Sequence, residues 1–380
     1  MEKCRFHEVK VSAPSKVILF GEHAVVYGMT AVAASLDLRT RMRIKPHKSR
    51  ILVNFPDVGL KESWSPEQLK TLFQHKPNTE ILDVNYVYLD LIHNFLKTES
   101  SDLRMASVIC FLYLYSLIMD EVGIVPMEIL VESEIPLGAG LGSSAALSVC
   151  LSAGLIGVLH QVQGYEKSIF EYTSSSIQKE VCGFAFLSEK ILHGTPSGID
   201  NSISTYGGMC RFEKGNLEPV RLERNLRILL INTNTFRNTK DLVERVGEKR
   251  VKYPDIVKPI LESIHAISEQ FLTSIQEYNQ DLNEKKFYKI LEDLMDTNQS
   301  LLTGLGVSHP TLDDVCRTLK KLGIVGKLTG AGGGGFALAV LPPSISGKTV
   351  LVAKDLLETK GYTCYQADIG VNGYVIEVVK

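Results

Sequence analysis

The chain has 380 residues, 44% of them apolar and 22% charged, with a formal net charge of −2. That length suits two domains with an ample core, and the charge balance gives no footing for a nucleic-acid or anionic-membrane partner. The seven cysteines are scattered, odd in number and free of any Cys-x-x-Cys pair, so neither a disulfide framework nor a zinc site is indicated, and the usage fits a reducing cytosol. Residues 1–7 contain no apolar signal core, so no targeting segment is expected. The apolar run at 105–119 falls short of the roughly 18 residues that a membrane span needs.

Residues 6–12 read as a strand leading into Ala13-Pro-Ser-Lys-Val-Ile-Leu-Phe-Gly-Glu-His-Ala-Val-Val-Tyr-Gly28. Pro14 and Gly21 break this run into strand, turn, strand and turn, which puts Lys16 and the Glu22-His23 pair at turns. Taken singly, Lys16 is an ordinary solvated charge and His23 a satisfied, half-buried histidine. Residues 32–45 and 50–55 alternate as strands of one antiparallel sheet. Residues 64–94 read as helical, and 105–119 as a buried helix that suits a core or a partner subunit equally.

A strand at 127–133 then feeds Glu134-Ile-Pro-Leu-Gly-Ala-Gly-Leu-Gly-Ser-Ser-Ala-Ala146. Glycines at alternate positions (Gly138, Gly140, Gly142) let backbone N–H groups converge without Cβ obstruction. Ser143 and Ser144 open an apolar helix whose N-terminus carries unpaired N–H groups and the positive end of the helix dipole. Strand, glycine loop and helix start together make a phosphate cradle, and a hydroxyl at its mouth suits a Mg²⁺ ligand. The loop lacks the Lys-Ser/Thr ending of a Walker motif and the glycine spacing of a dinucleotide fingerprint. By itself it would also pass as a tight turn.

Helices are expected at 144–159 and 165–193, the second closed by Gly194. On the second, Ala185, Glu189 and Leu192 share one inward face, so Glu189 is a candidate buried carboxylate. His193-Gly-Thr-Pro-Ser-Gly-Ile-Asp-Asn201 reads as a turn ending in Asp200, whose simplest role is a local cap. A strand pair follows Gly207-Gly208, and the domain boundary is placed near Leu226, giving domains 1–225 and 226–380. Helices are expected at 251–272 and 286–302, and strands at 336–341, 363–368 and 373–379, in a split βαβ layout. The four consecutive glycines 332–335 cost conformational entropy, which close approach to a ligand or to another backbone would justify.

Three stretches, P-x-K-V-I-L-x-G-E-H, P-x-G-x-G-L-G-S-S-A-A and K-L-T-G-A-G-G-G-G, occur in the order and spread of the GHMP small-molecule kinases, which the chain resembles over nearly its whole length. Ser15 stands where that family usually has Gly before the lysine, and Thr195 where Asn is commoner. The resemblance implies an α+β fold of two domains: an N-terminal α/β ATP-binding domain and a C-terminal split βαβ (ferredoxin-like) domain. Within the family, G-E-H-A-V-V-Y-G, P-S-G-I-D-N and the R-N-T stretch resemble the members that phosphorylate mevalonate.

What the resemblance implies for the site is specific. Asp200 and Lys16 would be catalytic, Asp200 as base for the acceptor hydroxyl. ATP would be held by Lys16, Ser133, Gly138, Ala139, Gly140, Leu141, Gly142, Ser143 and Ser144, and Mg²⁺ by Ser144 and Glu189. Glu22, His23, Arg237 and Thr239 would line the mevalonate pocket, Arg237 gripping the carboxylate in a bidentate fork. Arg237 could instead be a surface arginine paired with a nearby acid. A phosphorylated acceptor would ask for more cations near Asp200 than Lys190 and His193, and a non-catalytic ligand-binding relative would be expected to lack Lys16 or Asp200. A homodimer, a cytoplasmic location and feedback inhibition by prenyl diphosphates complete what the resemblance implies.

Overall fold

The computed structural model describes residues 6–77, 83–98, 105–136, 138, 140–165, 169–236 and 238–379. Strand β1 (Glu8–Phe20) runs without interruption, where the residue pattern suggested strand, turn and strand. Its pairing with β2 (Ala31–Pro46) shifts register between Pro14 and Ser15. At such a bulge a proline without an N–H forfeits no ladder bond, so the strand continues through it. Lys16 therefore projects from the interior of a strand.

β3 (Ile51–Phe55) and β4 (Leu60–Trp64) form an antiparallel pair. β2 and β3 share one sheet, as their alternation suggested, but the sheet is mixed and not purely antiparallel. β5 (Met127–Ser133) lies between them, antiparallel to β2 and parallel to β3. The stretch 64–94 is likewise not one helix: Trp64 ends β4, and α1 (Pro66–Phe73) starts at a capping box made by Ser65 and Gln68. Asn85 caps α2 (Tyr86–Leu96) through its side-chain oxygen. α3 (Ala106–Ile118) is apolar all round and buried from Val108 onward, and the Tyr115 hydroxyl donates to the Val125 carbonyl at 2.8 Å. It is a core helix of this chain, which settles the choice between core and subunit face.

α4 (Ser143–Val162) is long and apolar enough to cross a membrane, yet most of it is buried in the fold. Two glycines explain how closely it lies on the sheet. A Cβ at Gly154 would stand 2.2 Å from Met42 Cε on β2, and one at Gly157 would stand 2.8 Å from Ile376 Cδ1. α5 (Ile169–Tyr172) and α6 (Ser175–His193) replace the single helix expected over 165–193, and Gly194 closes α6 with positive φ. α7 (Ile199–Tyr206) follows, and it begins one residue before Asp200. Asp200 is thus in the first turn of a helix, not the end of a loop.

β6 (Met209–Glu213), β7 (Asn216–Val220) and β8 (Leu226–Asn232) lead to the helices α8 (Thr239–Lys252), α9 (Pro254–Asp281), α10 (Glu284–Leu305) and α11 (Pro310–Lys320). β9 (Gly326–Leu328), β10 (Phe336–Val340), α12 (Gly347–Glu358), β11 (Thr363–Ile369) and β12 (Val375–Val379) complete the described chain. β10 and β11 flank β8, both antiparallel to it, with α12 as the crossover: this is the split βαβ arrangement. All strands join in one twelve-stranded sheet with β4-β3-β5-β2-β11-β8-β10-β9 as its main path, and β12 beside β1. One core fills the space under α3, α4 and α6, and a second gathers β8, β10, α11 and α12.

The glycine run before β10 approaches the chain's own backbone. A Cβ on Gly332 would sit 2.0 Å from the Val307 carbonyl oxygen, and one on Gly334 would sit 2.9 Å from Thr235. Gly333 N–H donates to Val307 O at 2.8 Å and Thr233 N–H to Gly335 O at 2.8 Å. Of the two explanations that the sequence allowed for these glycines, close approach to another backbone is met at Gly332 and Gly334, while a Cβ on Gly333 would meet the Leu242 side chain.

Candidate active site

The site is assembled where β1, the loop after β5, the N-terminus of α4, the C-terminal half of α6 and the first turn of α7 meet. Gly138, Gly140 and Gly142 adopt φ of 68°, 68° and 76°, the left-handed region that favours glycine. Gly142 caps α4 without a side-chain partner, so the first N–H groups of a 20-residue helix open onto the loop. The Lys16 N–H donates to Leu141 O at 2.8 Å and fastens the loop to β1. Leu137 and Ala139 lie outside the described residues.

Lys16 and Asp200 form an ion pair of 3.1 Å, with side chains 13% and 33% exposed. The pair is open enough to meet a substrate and shielded enough for its charges to count. It abuts the phosphate cradle: a Cβ on Gly142 would lie 3.0 Å from Lys16 Cγ and 3.5 Å from Asp200 Oδ2. Gly198, with φ of 82°, caps α7 and turns the Asp200 carboxylate toward Lys16, so Asp200 is not occupied as a local cap.

Glu189 is buried on the inward face of α6, as its spacing indicated. Ser144 Oγ donates to its Oε2 at 3.4 Å and Ser148 Oγ to its Oε1 at 3.5 Å. Burial, and then the neighbouring charge of Asp200, push the Glu189 carboxyl up to about 7, against the pull of the two hydroxyls and Lys16. A carboxylate and a hydroxyl held together in a site too poor in positive charge suit a hard cation. Among the described residues no cluster of three or more His, Cys, Asp or Glu side chains could enclose a metal. Two protein oxygens beside a phosphate cradle match Mg²⁺, which keeps waters and phosphate oxygens as its remaining ligands.

His193, the last residue of α6, joins the site, and its only mark in the sequence is its place directly before the G-x-P-S-G stretch. Its Nε2 lies 3.1 Å from Ser144 Oγ and 3.9 Å from Glu189 Oε2. It also borders a cavity of about 420 Å³ together with Ser133, Ser143 and Ser144. The cavity's apolar walls come from Phe55, Val58, Leu89, Ile109, Leu147 and Ile191, each on a different element. Size and lining suit a nucleoside whose phosphates lie on the adjoining loop. Ser133 is bound by its neighbours: its N–H donates to Asp57 Oδ2 at 2.7 Å and its Oγ is 3.0 Å from Thr40 Oγ1.

The residues expected on the acceptor side are placed differently. His23 is buried, with φ of 61° and Nε2 2.8 Å from the Ala331 carbonyl oxygen; burial lowers its pKa. Glu22 is enclosed: both carboxylate oxygens are engaged internally, Oε1 by Lys327 Nζ and Oε2 by Asn298 Nδ2 at 3.1 Å. Thr239 is exposed at the start of α8. Arg237 lies outside the described residues.

The sequence matches the family models described as GHMP kinases N terminal domain, at residues 108–208, and GHMP kinases C terminal, at 280–351. It is 38% identical to the mevalonate kinase of Homo sapiens, over 96% of this chain and 94% of that protein. With the mevalonate kinase of Arabidopsis thaliana it shares 36% identity, over 96% of this chain and 98% of that protein. The fold is similar to that of the Methanococcus jannaschii mevalonate kinase, with a TM-score of 0.67 at 24% identity, covering 94% of this chain and 97% of that one. It is also similar to the L. major mevalonate kinase in complex with R-mevalonate, with a TM-score of 0.67 at 21% identity, covering 96% of each chain.

Proposed function

The chain belongs to the mevalonate kinases of the GHMP family, and from that premise we propose how its own residues carry out the reaction, transfer of the γ-phosphoryl group of ATP to the primary hydroxyl of mevalonate. The observation that carries the assignment is the Lys16–Asp200 pair, 3.1 Å apart and packed against Gly142 at the mouth of the phosphate cradle. Phosphoryl transfer leaves little covalent chemistry to the protein, so positioning and charge placement dominate. The amides of Gly138, Gly140 and Leu141 to Ser144 hold the β- and γ-phosphates, and the apolar cavity beside Ser133 takes the nucleoside. Asp200 receives the proton of the acceptor hydroxyl, and the Lys16 ammonium stabilises the negative charge that grows on that oxygen. Ser144 and Glu189 would hold Mg²⁺, which when bound neutralises charge on the β- and γ-phosphates. His23 and Thr239 are assigned to the acceptor side.

A screen of ADP release with mevalonate, phosphomevalonate, homoserine and galactose tests this reading. Turnover is expected with mevalonate. Turnover of another acceptor, with none on mevalonate, would overturn it.

The mevalonate carboxylate requires a cation, and we assign that role to Arg237. Arg237→Ala should raise the KM for mevalonate about thirtyfold, since removing one partner of a shielded Arg–carboxylate pair costs roughly 2 kcal/mol or more. The KM for ATP should stay close to wild type, because the nucleotide is held by the separate loop. Equal losses for both substrates would place Arg237 outside the acceptor pocket.

Prenyl diphosphates combine a diphosphate with an apolar tail, and the phosphate cradle opens onto an apolar cavity. We assign them this same site as inhibitors. Initial-rate patterns should show competition with ATP; competition with mevalonate alone would refute a shared site.

A further inference from the structure

Glu22 and Lys327 are 305 residues apart, yet their charged groups form an ion pair with both side chains 0% exposed. Asn298 donates to the second carboxylate oxygen, and the Lys327 ammonium also donates to Leu328 O at 2.7 Å and faces the Phe20 ring. Burial raises the Glu22 carboxyl, and the charge and hydrogen bond of Lys327 pull it back. A fully buried charge pair returns little net stability, because desolvation offsets most of the attraction. Its position in the fold indicates another use.

Three bonds tie the end of β1 and the turn after it to the segment from β9 through the glycine run. They are the Glu22–Lys327 pair, Thr329 Oγ1 donating to Ile18 O at 2.8 Å, and His23 Nε2 to Ala331 O at 2.8 Å. The turn itself leaves no slack. A Cβ on Gly21 would fall 2.4 Å from Ala31 Cα, and His23 sits at φ 61°, ψ −40°, a backbone state that persists only where the surroundings enforce it. Lys16 lies on the same strand, four residues before Phe20.

We infer that Glu22 is a positioning residue that never touches mevalonate: through Lys327 and Asn298 it locks the β1 turn onto the C-terminal half, fixing His23 and the Lys16 strand relative to Asp200. This rests on the reading of Lys16 and Asp200 as the reacting pair.

The test is a rescue. Glu22→Gln alone strands a buried ammonium, and Lys327→Met alone strands a buried carboxylate. Each should lower kcat with mevalonate about 10²-fold, the cost of small misplacements near an in-line reaction, and lower the thermal midpoint, with the KM for ATP nearly unchanged. The Glu22→Gln, Lys327→Met double variant holds no unpaired charge and should regain at least tenfold of that kcat and most of the midpoint. A carboxylate that contacted substrate directly could not be rescued by changing Lys327. A double variant no faster than the slower single one overturns the inference. If a single variant does not fold, the double decides: folded and active supports the lock, insoluble or inactive overturns it. A wild-type enzyme without turnover of mevalonate would instead contradict the underlying assignment of function.

Discussion

Asp200→Asn should lower kcat by at least about 10²-fold while leaving the affinity for ATP nearly unchanged. The amide keeps the size of the carboxylate but cannot take a proton from the acceptor hydroxyl, and general-base help of this kind contributes roughly that factor. Lys16→Met should cause a loss of the same order, because the methionine fills the strand position without stabilising charge on the acceptor oxygen. The two side chains are 3.1 Å apart and are proposed to serve one proton transfer, so the losses should not multiply. Steady-state kinetics of the singles and the double give the coupling directly. A double variant showing the product of the two losses would mean that the pair does not act as a unit.

The second large effect is expected at Glu189. Glu189→Gln should lower kcat about 10²-fold at ordinary Mg²⁺ concentrations, with partial recovery as free Mg²⁺ is raised. A cation held by Glu189 and Ser144, as proposed, would offset the burial and the Asp200 charge that push this carboxyl up to about 7, and an amide would be a far poorer ligand for it. A titration of rate against free Mg²⁺ separates this from simple damage to α6. A lower kcat with an unmoved Mg²⁺ midpoint would remove Glu189 from the metal site.

Local pattern made much of this site legible. β5, α4 and the inward face of α6 follow from alternation, from an apolar run opened by Ser143 and Ser144, and from helical spacing around Glu189. Each of those signals is contained within one element. What could not be read depends on how distant segments meet. Pro14 looked like a turn because its missing N–H normally ends a strand, but a register shift against β2 absorbs it and leaves Lys16 mid-strand. The cavity proposed for the nucleoside draws Phe55, Leu89, Ile109, Leu147 and Ile191 from separate elements, and none of them carries a polar mark in the sequence. His193 is not legible in the sequence as a partner of Ser144 beside Glu189, because Ser144 meets them only when α4 and α6 pack. Glu22 has a sequence context that resembles a substrate contact, and only the fold supplies Lys327 as its partner.

The joining of the three signature stretches has a physical order. The glycine loop is pinned to β1 by the Lys16 N–H, and the end of β1 with its turn is pinned to β9 and the segment after it by the Ile18–Thr329, Glu22–Lys327 and His23–Ala331 contacts. Asp200 enters from α7, whose glycine cap sets its direction. Reacting groups mounted in this way on a strand and two helix N-termini hold their geometry better than groups on free loops, as transfer between two bound substrates demands.

The central claim is that Asp200 and Lys16 activate a primary hydroxyl of mevalonate beside the phosphate loop. Identification of the product by mass spectrometry and phosphorus NMR tests it most directly. Wild-type protein with mevalonate and MgATP should yield one phosphate ester per ADP released, on the primary hydroxyl, with the tertiary hydroxyl unmodified. ADP release without an ester, or an ester on the tertiary hydroxyl, would contradict it.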